Sequence, residues 1–375
     1  MNKLFFCLFI LVTQITTLYS QGLEYSVKST SDFVFFGTNY PTVDLSLKNI
    51  YMDSVRYNIS CSIATDKGKM VYLMNQKAGI AGGDSTDLSF SFYSADPGFY
   101  KVTLEDRTDT IKELNICYDP EKIYKLYPDE RGTEAFLTWL NRRSNYNNAS
   151  YRVKKVKYNM AKRRDAYLVS MRFANGETLS GYYLVPLRSM SKDIVTVVRA
   201  RMLYDEEFSL QKEVLVSEHC IDFIYTVDKP ERCDSLFYTN ALHKYSAILD
   251  FLSSRRELEG KKMFATGDGL SGGLALAAAA IDPRISAVAV YNPYLDERVL
   301  GASSNMLLGR VVKLVKCPIL YGMGLQDELA TPRRLFDSYN LINTPKEYYI
   351  FPFASKEMDS NWSPLSINFL LKYAE

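Results

Sequence analysis

The stretch that most constrains the fold is residues 262–281, KMFATGDGLSGGLALAAAAI. Its opening apolar residues, 263–266, suit a short buried strand. Gly267, Gly269, Gly272 and Gly273 follow within seven residues, and an alanine-rich run then extends to Asp282-Pro283. The order is a strand, a sharp turn and a helix of small side chains. Gly and Ala let such a helix start directly against a sheet, because nothing stands between the two backbones. Gly269-Leu270-Ser271-Gly272-Gly273 also satisfies the G-x-S-x-G pattern, in which a serine is raised on a strand-to-helix turn.

A nucleophilic serine needs a base. The chain holds two histidines, His219 and His243, and both precede Ser271. The usual order for a serine on such a turn, Ser, then Asp or Glu, then His, therefore cannot be built here.

Composition narrows the function classes. With 45 basic and 43 acidic side chains, the balance does not direct the chain to nucleic acid or to a strongly charged membrane. An apolar content of 47% over 375 residues is ordinary for a globular protein and allows about two domains. The 28 tyrosines suit sugar-facing surfaces and half-buried strands alike. No spacing matches a metal site, and no cofactor is expected.

Residues 1–20 read as a secretory signal peptide. Lys3 supplies the positive end, residues 4–12 the apolar core, and Leu18-Tyr19-Ser20 a small residue before a cut at Gln21. The core is too short to span a bilayer. Phe6 stands before Cys7, where lipid attachment wants a small residue. No later run is long enough for a transmembrane segment. Soluble export to the periplasm or outside the cell is the expectation. Five cysteines then remain, and an oxidising compartment permits pairs. Cys61–Cys117 and Cys220–Cys233 are the simplest pairs, although spacing does not settle connectivity. Cys317 precedes a strand-like run and is expected as a buried free thiol.

Residues 21–117 read as a small all-β sandwich, immunoglobulin-like in pattern. Short runs at 42–47, 55–63, 88–93 and 99–104 are rich in Tyr, Val, Phe and Ile and are separated by turn residues. Asp96-Pro97-Gly98 is a turn, and Tyr100 sits where a corner tyrosine would. Residues 78–84 read as a flexible loop. The domain is expected to act as a spacer or packing partner. Carbohydrate binding is the alternative, with no aromatic cluster visible in the sequence to single it out.

Residues 118–150 form a connector with a docking helix over 134–143. Residues 151–375 read as α/β. Asn175-Gly176 predicts a type I′ hairpin between 167–173 and 178–185. Strands are expected at 194–198, 223–227, 287–291, 319–322 and 348–351. A helix over 237–252 carries His243 as a surface or packing residue. A last helix starts near Ser363-Pro364, which supply a cap and a first-turn proline. Strands alternating with helices imply a doubly wound, mostly parallel sheet covered on both faces.

The second domain resembles the acetylxylan esterase / cephalosporin-C deacetylase family of α/β-hydrolases. The matching residues are the glycine-rich turn with its helix, Tyr291-Asn292-Pro293-Tyr294-Leu295, the run from Cys317 to Asp327, and the hairpin strand Gly181-Tyr182-Tyr183-Leu184-Val185-Pro186. The resemblance implies the α/β-hydrolase fold and removal of acetyl groups from sugars. It extends from about Thr133 to the C-terminus and leaves the first domain outside.

The departures lie on the chemistry. Family turns read Gly-Gly-Ser-Gln-Gly-Gly; aligned without a gap, the nucleophile position falls on Gly269, and Ser271 lies two residues later, in the first helical turn. The family acid is retained as Asp327. The family histidine position falls on Lys356, which stays charged unless strongly desolvated, so Gly269, Asp327 and Lys356 are expected to form a structural ion-pair site. Where the family has an oxyanion loop, this chain reads Arg199-Ala200-Arg201-Met202, and no glycine occurs between Gly181 and Gly260.

Three readings follow. The first is a secreted, catalytically degenerate esterase homologue, a pseudoenzyme whose site binds a carbohydrate, an acetylated sugar or a protein partner. The second is an active carbohydrate acetyl esterase using Ser271 with Asp327 and Lys356. The third is a structural or interaction module of exported surface machinery, with Arg199, Arg201, Arg333 and Arg334 as a basic patch.

Overall fold

The computed structural model describes residues 18–20, 23–29, 31–93, 96–107, 109–123, 149–158, 164–187, 196–203, 209–210, 220–228, 235–295 and 312–374. They fall into two compact units, Met1–Pro120 and Glu121–Glu375. No helix among the described residues is long and apolar enough to cross a membrane. Of the leader expected over 1–20, residues 1–17 lie outside the described residues, as do the docking helix over 134–143, His219 and Cys233.

The first unit is all-β. Its strands are β1 (Leu18–Ser20), β2 (Leu23–Lys28), β3 (Val34–Phe35), β4 (Thr42–Asn49), β5 (Val55–Thr65), β6 (Met70–Ile80), β7 (Ser85–Ser91), β8 (Gly98–Asp106) and β9 (Asp109–Tyr118). They form two sheets, ordered β1-β2-β4-β7 and β3-β9-β8-β5-β6. Alternation sets the buried faces. Val43, Leu45 and Leu47 of β4 and Ile59, Cys61 and Ile63 of β5 are buried, with their neighbours turned outward. Tyr100 behaves as a corner tyrosine, its hydroxyl donating to the Asp96 carbonyl four residues upstream.

Two expectations for this unit are corrected. Ala78 and Ile80 belong to β6 and point inward, because their side chains complete the β6 alternation. The loop is therefore only residues 81–84. Cys61 and Cys117 do not pair; both are buried free thiols. Cys61 faces Leu104 of β8, whereas Cys117 faces Phe99. Five residues of strand at about 3.3 Å each separate those registers, far beyond disulfide reach.

The second unit holds a nine-stranded sheet. Its elements are β10 (Ser150–Val156), β11 (Arg164–Arg172), β12 (Thr178–Pro186), β13 (Thr196–Leu203), β14 (Ile221–Asp228), α1 (Ser235–Ser253), β15 (Met263–Asp268), α2 (Gly269–Ile281), β16 (Ile285–Tyr291), β17 (Ile319–Gly324), α3 (Pro332–Leu341), β18 (Lys346–Phe351) and α4 (Trp362–Leu371). The order is β10-β11-β12-β14-β13-β15-β16-β17-β18. Pairing is antiparallel from β10 to β14 and parallel from β14 to β18.

Both faces of the parallel part are covered. Phe264, Ala287, Ala289, Tyr291 and Leu320 form one cluster with Trp362, Phe369 and Leu370 of α4. The alternate residues Ala265, Val288, Val290 and Tyr321 are also fully buried. They serve the opposite layer, where α1 and α2 pack together. Burial on both faces explains why these strands read as unbroken apolar runs.

Local chemistry moved some boundaries. The β11–β12 hairpin is not a type I′ turn at Asn175-Gly176. Gly176 donates to the Phe173 carbonyl, so Ala174 and Asn175 are the central residues. Gly176, at φ +86°, alone takes the left-handed position, as in a type I turn with a bulge. α4 begins at Trp362 rather than at Ser363, and no side chain caps it. Arg199 is buried, its Nη2 3.4 Å from the Asp222 carboxylate, which Arg164 also meets at 3.0 Å. Isolated charge is too costly to leave in the interior, and this pairing takes Arg199 out of any surface patch. Arg333 pairs with Asp337 one turn on along α3.

Candidate functional site

The site lies at the carboxyl ends of the parallel strands, where β15 turns into α2. The turn is tight for a steric reason. A methyl group on Gly267 would come within 2.6 Å of the Ser271 carbonyl carbon, and one on Gly272 within 3.0 Å of the Gly267 carbonyl oxygen. Only glycine lets helix and strand approach this closely. Ten consecutive residues, Leu270 to Ala279, are buried, so the small side chains of α2 are enclosed on every side.

Gly269 stands at the tip of the turn in the left-handed region, φ +53°. Its carbonyl accepts the Tyr294 amide at 2.8 Å. A Cβ placed on it would lie 3.4 Å from the Tyr294 ring. The turn therefore presents a glycine and an aromatic ring where a nucleophile would project.

Ser271 lies one helical step inside. It is 1% exposed, and its Oγ has no hydrogen-bond partner. Among the described residues no base stands beside it, and its burial in α2 keeps solvent and substrate away.

Asp327 follows β17 and is 1% exposed. Its Oδ1 accepts the amides of Leu329 at 2.7 Å and Ala330 at 2.8 Å. Its Oδ2 accepts the Asn292 side-chain amide at 2.7 Å. Burial pushes the Asp327 carboxyl above the usual carboxylate range, and these three donors pull it part of the way back. None of the donors is titratable.

Asn292 ties the site together. It follows β16 in a left-handed conformation, φ 40°, which Asn tolerates better than most residues. Its Nδ2 also donates to the Ser355 carbonyl at 2.8 Å, and its Oδ1 accepts the Gly324 amide at 2.7 Å. The segment after β18 is stitched down further. Gln326 donates its backbone amide to the Ala354 carbonyl and its side-chain amide to the Pro352 carbonyl.

Lys356 emerges from that segment exposed to solvent. Among the described residues it forms no ion pair with Asp327, so the expected Gly269–Asp327–Lys356 ion-pair site is not formed. Asp327 is already met by three neutral donors, and the exposed Lys356 ammonium keeps its water.

The strand expected over 194–198 runs further than expected. Arg199-Ala200-Arg201-Met202 lies within β13, which runs on to Leu203 in parallel with β14. These residues spend their backbone groups on the sheet. His243 is buried on α1 and belongs to the helix layer.

The structure thus gathers Gly269, Tyr294, Asn292, Asp327 and the Ser355 backbone. It leaves Ser271 sealed in α2 and Lys356 in water. Sequence reasoning quoted Asn292 and Tyr294 without giving them a role. The Asn-Pro dipeptide directly after a strand was the available signal.

The comparisons agree with this geometry. Residues 227–300, which span the turn and α2, match the family model for acetyl xylan esterase. An acetyl esterase of Xylanibacter ruminicola is 27% identical over 154 residues, 34% of this chain and 34% of its own. The chain therefore spans about a third of the length of the curated relative it matches. Acetyl xylan esterase 1 from a Thermoanaerobacterium species superposes with a TM-score of 0.56 at 15% identity, covering 68% of this chain and 98% of that one. An acetyl xylan esterase from a Paenibacillus species gives 0.57 at 20% identity, with the same coverage. The protein has the α/β-hydrolase fold and, around its glycine turn, resembles the acetyl xylan esterase family.

Proposed function

We propose that this protein is a catalytically degenerate acetyl xylan esterase homologue, retained to bind a ligand or partner and not to hydrolyse esters. The observation that carries the reading is the Asp327 carboxylate, held by Asn292 and two backbone amides with no titratable side chain on it among the described residues. A serine hydrolase needs that carboxylate to orient a base, and here uncharged donors take three of its roughly four acceptor sites. Gly269 brings no hydroxyl to the turn, and the Ser271 Oγ is buried with no hydrogen-bond partner among the described residues. Losing a triad member costs several powers of ten in rate, and losing oxyanion donors adds about a hundredfold.

The ligand class suggested by the relatives' names is an acetylated saccharide. Export is part of the proposal and rests on the charge and apolar pattern of residues 1–20.

The test is hydrolysis of acetylated xylan and a simple aryl acetate by the protein, with Ser271→Ala in parallel. Equal, background-level rates are expected. Turnover that the substitution abolishes would overturn the proposal and make Ser271 a working nucleophile.

A further inference from the structure

Two tyrosines stand in water at one end of the sheet β1-β2-β4-β7. Tyr40 lies two residues before β4, and Tyr93 two residues after β7. Their rings meet edge to face, with centroids 5.5 Å apart and an interplanar angle of 67°. Tyr93 is 70% exposed and Tyr40 39% exposed. Two large rings that contact each other and still face solvent are an unusual use of aromatic surface.

The base beneath them is rigid. Thr42 and Ser91 pair in register, and their hydroxyls lie 3.0 Å apart. The Phe92 amide donates to the Pro41 carbonyl at 2.9 Å. Pro41 also restricts the backbone that leads Tyr40 into β4. The rings are therefore held in place at little further entropy cost, as in aromatic recognition surfaces generally.

We propose that Tyr40 and Tyr93 form a binding platform for a pyranose saccharide. The rings offer apolar faces and edges to the C–H face of a sugar. The flanking residues are uncharged and hydroxyl- or amide-bearing: Thr42, Ser91 and Asn39, whose Nδ2 donates to Ser31 Oγ at 2.6 Å. Equatorial sugar hydroxyls replace the water on those groups. An apolar peptide would strip it without replacement, which is unfavourable. A polyanion would need cations, and none of these residues carries one. The inference lies wholly in the first unit and does not depend on the reading of Gly269 and Asp327.

The experiment is affinity electrophoresis of the full chain through gels containing soluble xylan, glucomannan or mixed-linkage glucan. Tyr93→Ala, Tyr93→Phe and Leu73→Ala are run alongside; Leu73 controls for loss of an exposed apolar side chain from β6. Retardation of the wild type by at least one polysaccharide is expected. Tyr93→Phe and Leu73→Ala should keep it, and Tyr93→Ala should weaken it about tenfold. No retardation by any of the three, or equal retardation of Tyr93→Ala, overturns the proposal. Retention on phenyl-agarose that Tyr93→Ala loses, without polysaccharide retardation, also overturns it and assigns the pair to a protein contact.

Discussion

Asn292 donates its side-chain amide to the Asp327 carboxylate over 2.7 Å and, through the same nitrogen, to the Ser355 carbonyl. A neutral amide thus takes one acceptor site of Asp327 Oδ2. It also joins the ends of β16 and β17 to the segment after β18.

Asn292→Asp tests that fastening. Two carboxylates at hydrogen-bond distance repel unless they share a proton. A loss of about 3 kcal/mol at neutral pH is expected. The pair's upper folded-state pKa then exceeds the unfolded value, so this part of the stability is present at low pH and is lost as pH rises through that folded value. Urea unfolding near neutrality and at about pH 5 should show the deficit shrinking on acidification. A deficit independent of pH would refute the shared-proton argument.

Asp327 itself should titrate above the ordinary aspartate range, because burial is the dominant cause of its shift. The folded chain holds that proton more tightly than the unfolded chain does. The resulting stability is therefore full below the unfolded aspartate value, about 3.9, and is lost as pH climbs through the folded value. Carbon-detected NMR titration reads the midpoint directly. Asn292→Ala removes a donor to the charged form and should move the midpoint further up; a downward move would contradict the assignment.

Gly269→Ser restores a hydroxyl at the turn, but places a non-glycine residue at φ +53° with its Cβ 3.4 Å from Tyr294. The left-handed backbone costs about 1–2 kcal/mol. Hydrolysis of an aryl acetate should stay at background, since no base among the described residues accompanies the hydroxyl. A clear gain in turnover would show that a base is within reach after all.

Gly267→Ala should be far more damaging, because its methyl group meets the Ser271 backbone at 2.6 Å. Backbone cannot yield as a side-chain tip can, and a loss of about 3 kcal/mol or failure to fold is expected. Gly79 on β6 has nothing within 4 Å of an added methyl group and no positive φ. Gly79→Ala should therefore be neutral, or stabilise by about 0.5 kcal/mol through the unfolded chain. Thermal melts of the two variants should differ in this order.

The thiols of Cys61, Cys117 and Cys317 are buried, and burial lifts Cys61 to about 12 and Cys317 to about 11. Thiolate is the reactive form. All three should resist a thiol reagent in the native protein and react on denaturation. Rapid native labelling of Cys61 would contradict its buried place on β5.

Much of the fold was written in local chemistry. Gly267, Gly272 and the alanines of α2 specify a helix pressed on a strand, because no other residues fit that approach. The apolar runs of β15, β16 and β17 announce a sheet buried on both faces. Asp96-Pro97-Gly98 before Tyr100 announces a corner in the first unit. These are short-range constraints, and sequence states them directly.

The disulfide guess failed because pairing depends on register across β8, which cysteine spacing does not encode. The hairpin type turned on which of two adjacent residues took positive φ. Arg199 was placed on the surface because its partner, Asp222, comes from a neighbouring strand that only sheet pairing supplies.

By itself the sequence determined that residue 269 carries no hydroxyl, that no histidine follows the glycine turn, and that an acid is kept at 327. Covalent identity settles these, whatever the packing. Only the tertiary structure decided what became of the acid. Two strand ends and the segment after β18 had to converge before the Asn292 amide could reach both Asp327 and Ser355. Convergence of residues 35 and 63 positions from Asn292 is a property of the assembled sheet, because hydrogen bonding acts over a few ångströms of space and takes no account of separation along the chain.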